Sequence, residues 1–222
     1  MQDPTGRTCA PIQPPGTDPS VGSPVFRKLD LQDDLEQVGR LIYYTDDYVF
    51  PYVYDTPEDG ARVHAEMVRR DTIYNHGNVT VALIDGSIAG IVVMTEAPIH
   101  ISRDEMVRSF EAAGVVHDER FERVFAEYWG LLEEEPEGFY IANVCVDPRF
   151  RHRGVARGLL NFLLEDDKTY NLETVVANTN AFRLYRSLGF SVKCRYPGFT
   201  GIPCYRMHRM KKAAKEEAGH GL

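Results

Sequence analysis

Between Phe139 and Leu164 the chain reads FYIANVCVDPRFRHRGVARGLLNFLL. Its chemistry-bearing part is Arg151-His152-Arg153-Gly154-Val155-Ala156, a short basic turn with a glycine. Phe139 to Val146 has the continuous apolar character of a buried strand. Asp147-Pro148 ends it, because proline has no N–H to donate to a ladder. From Val155 the apolar spacing becomes helical, with Val155, Leu159, Phe162 and Leu163 on one face. A glycine-bearing basic loop between a strand and a helix N-terminus is an anion cradle. Free backbone N–H groups point outward there, and the helix dipole adds to them. Gly154 lets a phosphate approach the backbone, while Arg151 and Arg153 supply counter-charge. The glycine patterns of the P-loop and of dinucleotide-binding turns are both absent from this stretch.

Two further groups carry chemistry. Tyr43 to Asp55, YYTDDYVFPYVYD, interleaves aromatic rings with carboxylates. Aromatic faces and carboxylates together suit a cationic amine, with Asp46, Asp47, Tyr48 and Tyr52 as the candidate contacts. The same run also reads as a surface loop whose rings pack on the core. Farther on, Asn178-Thr179-Asn180 offers capping side chains to a helix from Ala181 to Leu188, which carries Tyr185. A phenol with an ordinary pKa of about 10 is protonated at neutral pH and can donate.

The elements that must position these groups follow from the apolar pattern. Val25 to Leu29 reads as a first strand. Asp30 or Asp33 is placed to cap a helix bearing Leu35, Val38, Leu41 and Ile42 on one face. Thr56 and Pro57 start a second helix that runs to about Arg70. Val79 to Ile84 and Ile88 to Thr95 form a hairpin about Asp85-Gly86-Ser87. From Ser102 to about Glu135 the spacing is helical through Met106, Phe110, Phe121, Val124, Phe125, Tyr128 and Leu132, with Gly114 dividing it. After the cradle, Leu172 to Ala177 is a strand, and Gly189 closes the helix of Tyr185. Phe190 to Tyr196 and Pro203 to His208 are the arms of a last hairpin. Symmetry about Phe199 would set Cys194 opposite Cys204 as neighbouring free thiols.

Composition bounds the reading. The 222 residues suffice for one domain with a sizeable core. Apolar content of 43% and charged content of 26% are those of a soluble globular chain. A net charge of -8 and a pI of about 5.4 argue against a nucleic-acid-coating role and suit either solubility or a cationic partner. The four cysteines form no C-x-x-C, so zinc or thioredoxin-type chemistry is not indicated. No apolar window has the length of a membrane span, and the N-terminus has no secretory h-region, so a cytoplasmic location is expected. Residues 1–24, rich in Pro, Gly, Thr and Ser, read as a loosely attached tail, and 211–222 as a polar one.

In order, the elements are β-α-α-β-β-(helical insert)-β-α-β-α-β-β. Arg151-His152-Arg153-Gly154-Val155-Ala156 resembles the [RQ]-x-x-G-x-[GA] signature of the GNAT (GCN5-related) N-acetyltransferase superfamily. Asn178-x-x-Ala181-x-x-Leu184-Tyr185-x-x-x-Gly189-Phe190 is similar to that family's segment after the next strand. The resemblance spans roughly residues 25–210, read as a single domain with an insert at about 99–137. It implies an α/β (α+β) fold: a mixed, mostly antiparallel sheet of about seven strands, splayed at the central strand and flanked by helices. It also implies acetyl-CoA as cosubstrate and direct transfer of an acetyl group to a primary amine of a small molecule or peptide, without a metal. The backbone of Val144, Cys145 and Val146 would then pair with the pantetheine arm. N–H groups from Arg151, His152, Arg153, Gly154, Val155 and Ala156 would hold the pyrophosphate. Asn178 and Asn180 would lie near the cofactor, and Tyr185 would be the general acid. The segment from Tyr43 to Asp55 would border the acceptor.

Two features depart from the family pattern. Many members carry an acidic general base on the central strand, where this chain has Ala142 followed by Asn143. Glu96, His100 and His117 are alternatives by residue type. A non-catalytic acyl-CoA sensor is the competing reading that Ala142 keeps open. The insert of about 40 residues is the second departure, and it suits a wall or lid of the acceptor pocket, or a homodimer surface.

Overall fold

The computed structural model describes residues 22–99, 101–129 and 137–212. The expected tails fall almost entirely outside them, as do His100 and residues 130–136 of the insert. Seven stretches are strands: β1 (Val25–Lys28), β2 (Val79–Ile84), β3 (Ser87–Glu96), β4 (Phe139–Val146), β5 (Tyr170–Val175), β6 (Ser191–Pro197) and β7 (Pro203–Arg209). They form one sheet in the order β1-β2-β3-β4-β5-β7-β6. Every pairing is antiparallel except β4 with β5. Tyr140 and Cys145 face one layer, while Ile141 joins the opposite core and Val144 and Val146 pack against it.

Helices cover both faces. On one lie α1 (Leu35–Tyr43), the single turn α2 (Phe50–Val53), α3 (Pro57–Val68), α4 (Arg103–Ala113) and α5 (Glu119–Val124). On the other lie α6 (Val155–Leu163) and α7 (Thr179–Ser187). The local signals behave as their chemistry requires. Thr56 caps α3 by accepting from the Asp59 N–H, with Pro57 in the first turn. Asp85 and Gly86 both have positive φ (49° and 77°), as the tight β2–β3 hairpin demands. Gly114 ends α4 in the left-handed region, at φ 66°.

Three local expectations are corrected. The cap of α1 is Asp34, which accepts from the Gln37 N–H. Asp33 instead takes Arg27 in a two-bond ion pair, each bond 2.7 Å, and Asp30 accepts from the Gln32 N–H. On α6, Leu160 is buried in the core, while Phe162 is 54% exposed and rests against Phe26. Gly158 brings α6 so close to that Phe26 ring that a Cβ would stand 2.4 Å from it.

The last hairpin is offset from the symmetric register. Pro197 pairs with Pro203 and Tyr196 with Cys204, while Cys194 faces Arg206 across an irregularity between Val192 and Cys194. The turn therefore centres one residue beyond Phe199, so Cys194 and Cys204 are diagonal rather than directly opposed. Both are free thiols.

Asp147 ties the end of β4 to α1. Its buried carboxylate accepts from Gln37 Nε2 at 2.8 Å and from Arg149 Nη2 at 2.8 Å. It also accepts from the Arg149 backbone N–H at 2.9 Å. The Arg149 side-chain bonds hold its pKa below the ordinary carboxylate range against the opposing pull of burial. We expect Asp147→Ala to lower stability by about 1–3 kcal/mol, the range for unpairing a buried polar group, read from urea denaturation. A depressed folded-state pKa makes this contribution present above the unfolded value of about 3.9. It is lost as pH falls through the folded value.

Candidate active site

The central feature is a divergence of two strands. β4 and β5 pair only at Phe139–Tyr170, Tyr140–Asn171 and Ile141–Leu172. Beyond Ile141, β4 stays with β3 and β5 stays with β7. The cause is local to β4. Met94 pairs with Ile141 and Val93 with Asn143, leaving Ala142 with no β3 partner. That bulge bends the strand and increases its twist, so β4 swings away from β5.

A cleft of about 450 Å³ occupies the divergence. Ala142, Asn143 and Val144 line it from β4, and Glu173, Thr174 and Val175 from β5. Asn178 and Tyr185 close one side, and Asp46, Asp47 and Tyr48 another. Two groups expected from distant parts of the sequence, the segment after α1 and the start of α7, thus share one cavity. Asn178 caps α7 by accepting from the Ala181 N–H. Tyr185 is buried against Phe190, and burial pushes its phenol up to about 12. It is therefore a protonated donor throughout the neutral range.

The cradle lies at the C-terminal end of β4, where α6 begins. His152 and Gly154 both have positive φ (62° and 77°), the loop conformation that turns backbone N–H groups toward a common anion. A Cβ built on Gly154 would meet nothing within 4 Å, so the space above it is open. Arg151 to Gly154 are exposed, and Val155 is buried under them as the first residue of α6. Arg149 is committed to Asp147, whereas Arg153 lies over the Phe150 ring at 5.9 Å, and Arg151 Nε donates to Val146 O at 3.3 Å. These residues fit a pyrophosphate, and the opened edge of β4 beside Val144 fits a linear arm bearing amides.

Other expected contacts are not brought to the cleft. Tyr52 packs at a tilt against Phe199, ring centroids 5.4 Å apart, beneath Arg123. Asn180 is exposed in the first turn of α7 and does not line the cavity. Cys145, expected to act through its backbone, turns its side chain into the core beneath α1, where burial raises the thiol to about 11. Glu96 is exposed at the end of β3, and His117 packs between Phe110 and Phe121. Neither lines the cleft.

The described part of the insert stands behind the segment from Tyr43 to Asp55. Phe110 stacks on Tyr54 at 5.5 Å, and Arg120 Nη2 binds Asp55 at 2.8 Å. Among the described residues of the insert, none lines the cleft.

Sequence reasoning missed Thr45, Tyr74, Glu173, Thr174 and Cys204 as lining residues, and gave Asn143 no role. Two of these did leave a signal. Asn143 is the one strongly polar residue in FYIANVCV, and Glu173 is the one charge in YNLETV. Burial raises the pKa of Asp46, with Asp47 adding to it and the N–H groups of Val49 and Tyr48 opposing. Burial, with Glu173 and Asp46 nearby, keeps Cys204 a thiol, up to about 11.

Comparison with known proteins agrees with this geometry. The sequence model described as the acetyltransferase (GNAT) family matches residues 43–190. A protein of Mycobacterium leprae (strain TN) described as uncharacterized is 37% identical over 79 residues. Those residues span 33% of this chain and 22% of that protein. The fold is similar to an N-acetyltransferase from Staphylococcus aureus Mu50, with TM-score 0.60 and 15% identity over 83% of this chain and 99% of that one. It is also similar to a histone acetyltransferase HPA2 and related acetyltransferase from Corynebacterium glutamicum ATCC 13032. There the TM-score is 0.61 and the identity 20%, over 87% and 99%. A chain of the NatC complex bound to Gag peptide and CoA matches with TM-score 0.54 and 16% identity over 85% and 99%. At such identities the likeness is one of fold.

Proposed function

The chain belongs to the acetyltransferase (GNAT) family, and on that premise we propose that it transfers an acetyl group from acetyl-CoA to a primary amine. The acceptor is a small molecule or a peptide, and both substrates are bound at once. The observation that carries this reading is the shared cleft at the β4–β5 divergence, with Tyr185 on one side and Asp46 and Asp47 on the other.

The loop from Arg151 to Ala156 holds the pyrophosphate through its backbone N–H groups, helped by Arg151 and Arg153. The free edge of β4 at Val144 pairs with the pantetheine amides as a strand would. The thioester supplies the activated acyl group. Tyr185 donates a proton to the sulfur as it leaves. Asp46, Asp47 and Tyr48 receive the amine.

Thiol release from acetyl-CoA, measured with a panel of primary amines, tests the proposal. Tight CoA binding without amine-dependent release would instead assign the sensor role. The acidic, aromatic acceptor wall also sets a preference. We expect kcat/KM to be at least about tenfold higher for polyamine-like substrates than for amines carrying a carboxylate, since one like-charge contact in a partly dry site is worth more than about 1.4 kcal/mol. Equal rates across the panel would contradict that assignment of the wall.

A further inference from the structure

Asn143 is 9% exposed, and one of its two polar side-chain atoms has no partner. Its Nδ2 donates to Thr45 Oγ1 at 2.6 Å, and that hydroxyl donates onward to Ile42 O at 2.6 Å. Oδ1 has no donor and is itself closed off from solvent, so the amide acts through its Nδ2 bond rather than as a contact for a ligand. The bulge at Ala142 explains the aim. It sets Ala142 and Asn143 on the same side of β4, toward α1, instead of on alternate sides.

The residue after Thr45 is Asp46, so the Asn143–Thr45 bond pins the turn that carries it. Asp46 Oδ1 accepts from the N–H groups of Tyr48 and Val49 at 2.7 Å each. The groups that shift its titration include no cation. Glu173, the carboxylate on the β5 side of the same cleft, is differently placed. It accepts from Arg206 Nε at 2.9 Å and Nη2 at 2.8 Å, and from the Tyr196 hydroxyl. Its carboxylate is committed to that ion pair.

We propose that Asp46 takes the proton from the attacking amine, and that Asn143 is a positioning residue that holds the Asp46 turn through its bond to Thr45 Oγ1. The inference rests on the acetyl-transfer reading above and supplies the base that Ala142 cannot. An ammonium nitrogen loses two protons in becoming an amide. One passes to Asp46 and then to solvent. The nitrogen lone pair forms the C–N bond, the C–S bond breaks, and the sulfur keeps that electron pair and takes the Tyr185 proton. The second nitrogen proton restores Tyr185 through solvent. The sum is amide, thiol and one proton released.

The upward shift of Asp46 favours this role, since a base works best as its pKa nears the working pH. The groups facing it are Asp47, Tyr48, Tyr74, Cys204 and the Glu173–Arg206 pair. Tyr74 and Cys204 are themselves pushed upward, so both stay neutral over the range tested.

The test is thiol release against pH with the same amine panel, for the wild type, Asp46→Asn, Asn143→Ala and the double variant Asp46→Asn with Ala142→Glu. Asparagine keeps an acceptor for the Tyr48 and Val49 N–H groups, so the turn should survive, which circular dichroism checks. Asp46→Asn should lose roughly 10²-fold or more in kcat/KM, together with the acid limb of the pH profile, at unchanged CoA affinity. Asn143→Ala frees Thr45 and should lower kcat less than Asp46→Asn does while shifting the acid limb of the pH profile, which a purely structural role would leave in place. Ala142 lines the same cleft, so Ala142→Glu in the Asp46→Asn background should recover about tenfold or more. Wild-type activity and an intact acid limb in Asp46→Asn would overturn the assignment while leaving the transferase reading standing. A wild-type protein that binds CoA but releases no thiol with any amine would overturn both.

Discussion

Gly154→Glu should abolish CoA binding in a protein that still folds. Gly154 has φ 77°, and a Cβ placed on it points into open space. No neighbour is struck, so the core beneath, at Val155 and Leu159, keeps its packing. The new side chain instead fills the volume that the backbone N–H groups of the loop enclose. It also sets a negative charge against a pyrophosphate. Two like charges at about 4 Å cost roughly 4 kcal/mol at the effective dielectric of a protein surface, enough for a loss well beyond about 100-fold. Gly154→Ala separates the contributions. It adds only the left-handed backbone penalty, on the order of 1–2 kcal/mol. Calorimetry with CoA should therefore rank wild type above Ala and Ala far above Glu. Unchanged affinity in folded Gly154→Glu would move the pyrophosphate site elsewhere.

Tyr185→Phe should lower kcat by at least about tenfold, within a range of roughly 10²–10⁴ for loss of a general acid, while leaving the fold and most acetyl-CoA affinity intact. The ring is buried against Phe190 and its packing survives the change. Only the hydroxyl is removed. Because burial lifts the phenol to about 12, the wild-type profile should show no tyrosine limb below about pH 10, so the loss should be constant across the neutral range. A hydroxyl that merely anchors the cosubstrate would act on KM instead. A Phe variant with wild-type kcat would remove Tyr185 from the chemistry.

Much of the machinery is legible in the amino-acid sequence, because its determinants are local. The loop from Arg151 to Ala156 is set by one glycine, a neighbouring proline and the onset of helical spacing, all within a few residues. Thr56-Pro57, Asp85-Gly86, Asn178 and Gly189 are likewise decided by the backbone preferences of adjacent residues. Tyr185 follows from Asn178 by helical counting. The order of the elements and the direction of most pairings come from apolar period and turn chemistry.

Choices between chemically equal candidates belong to the tertiary structure. The run from Tyr43 to Asp55 holds three carboxylates that residue types cannot rank. Asp55 is taken by Arg120, 65 residues away, and lies outside the cleft, while Asp46 and Asp47 both line it, Asp46 the less exposed of the two. Tyr52 is drawn to Phe199 of the last hairpin, and Glu173 to Arg206. The bulge at Ala142 has no glycine or proline to announce it. It lies in the register of β4 against β3, and the departure from β5 follows from it. Symmetry about Phe199 misplaces the partner of Cys194 by two positions, since register depends on a partner strand and a turn geometry that residue types alone do not specify. Sequence by itself determined where backbone N–H groups are free and where a phenol stands, because short-range sterics decide both. Which carboxylates and which strand edge meet in one cavity was decided by contacts between residues far apart in the chain.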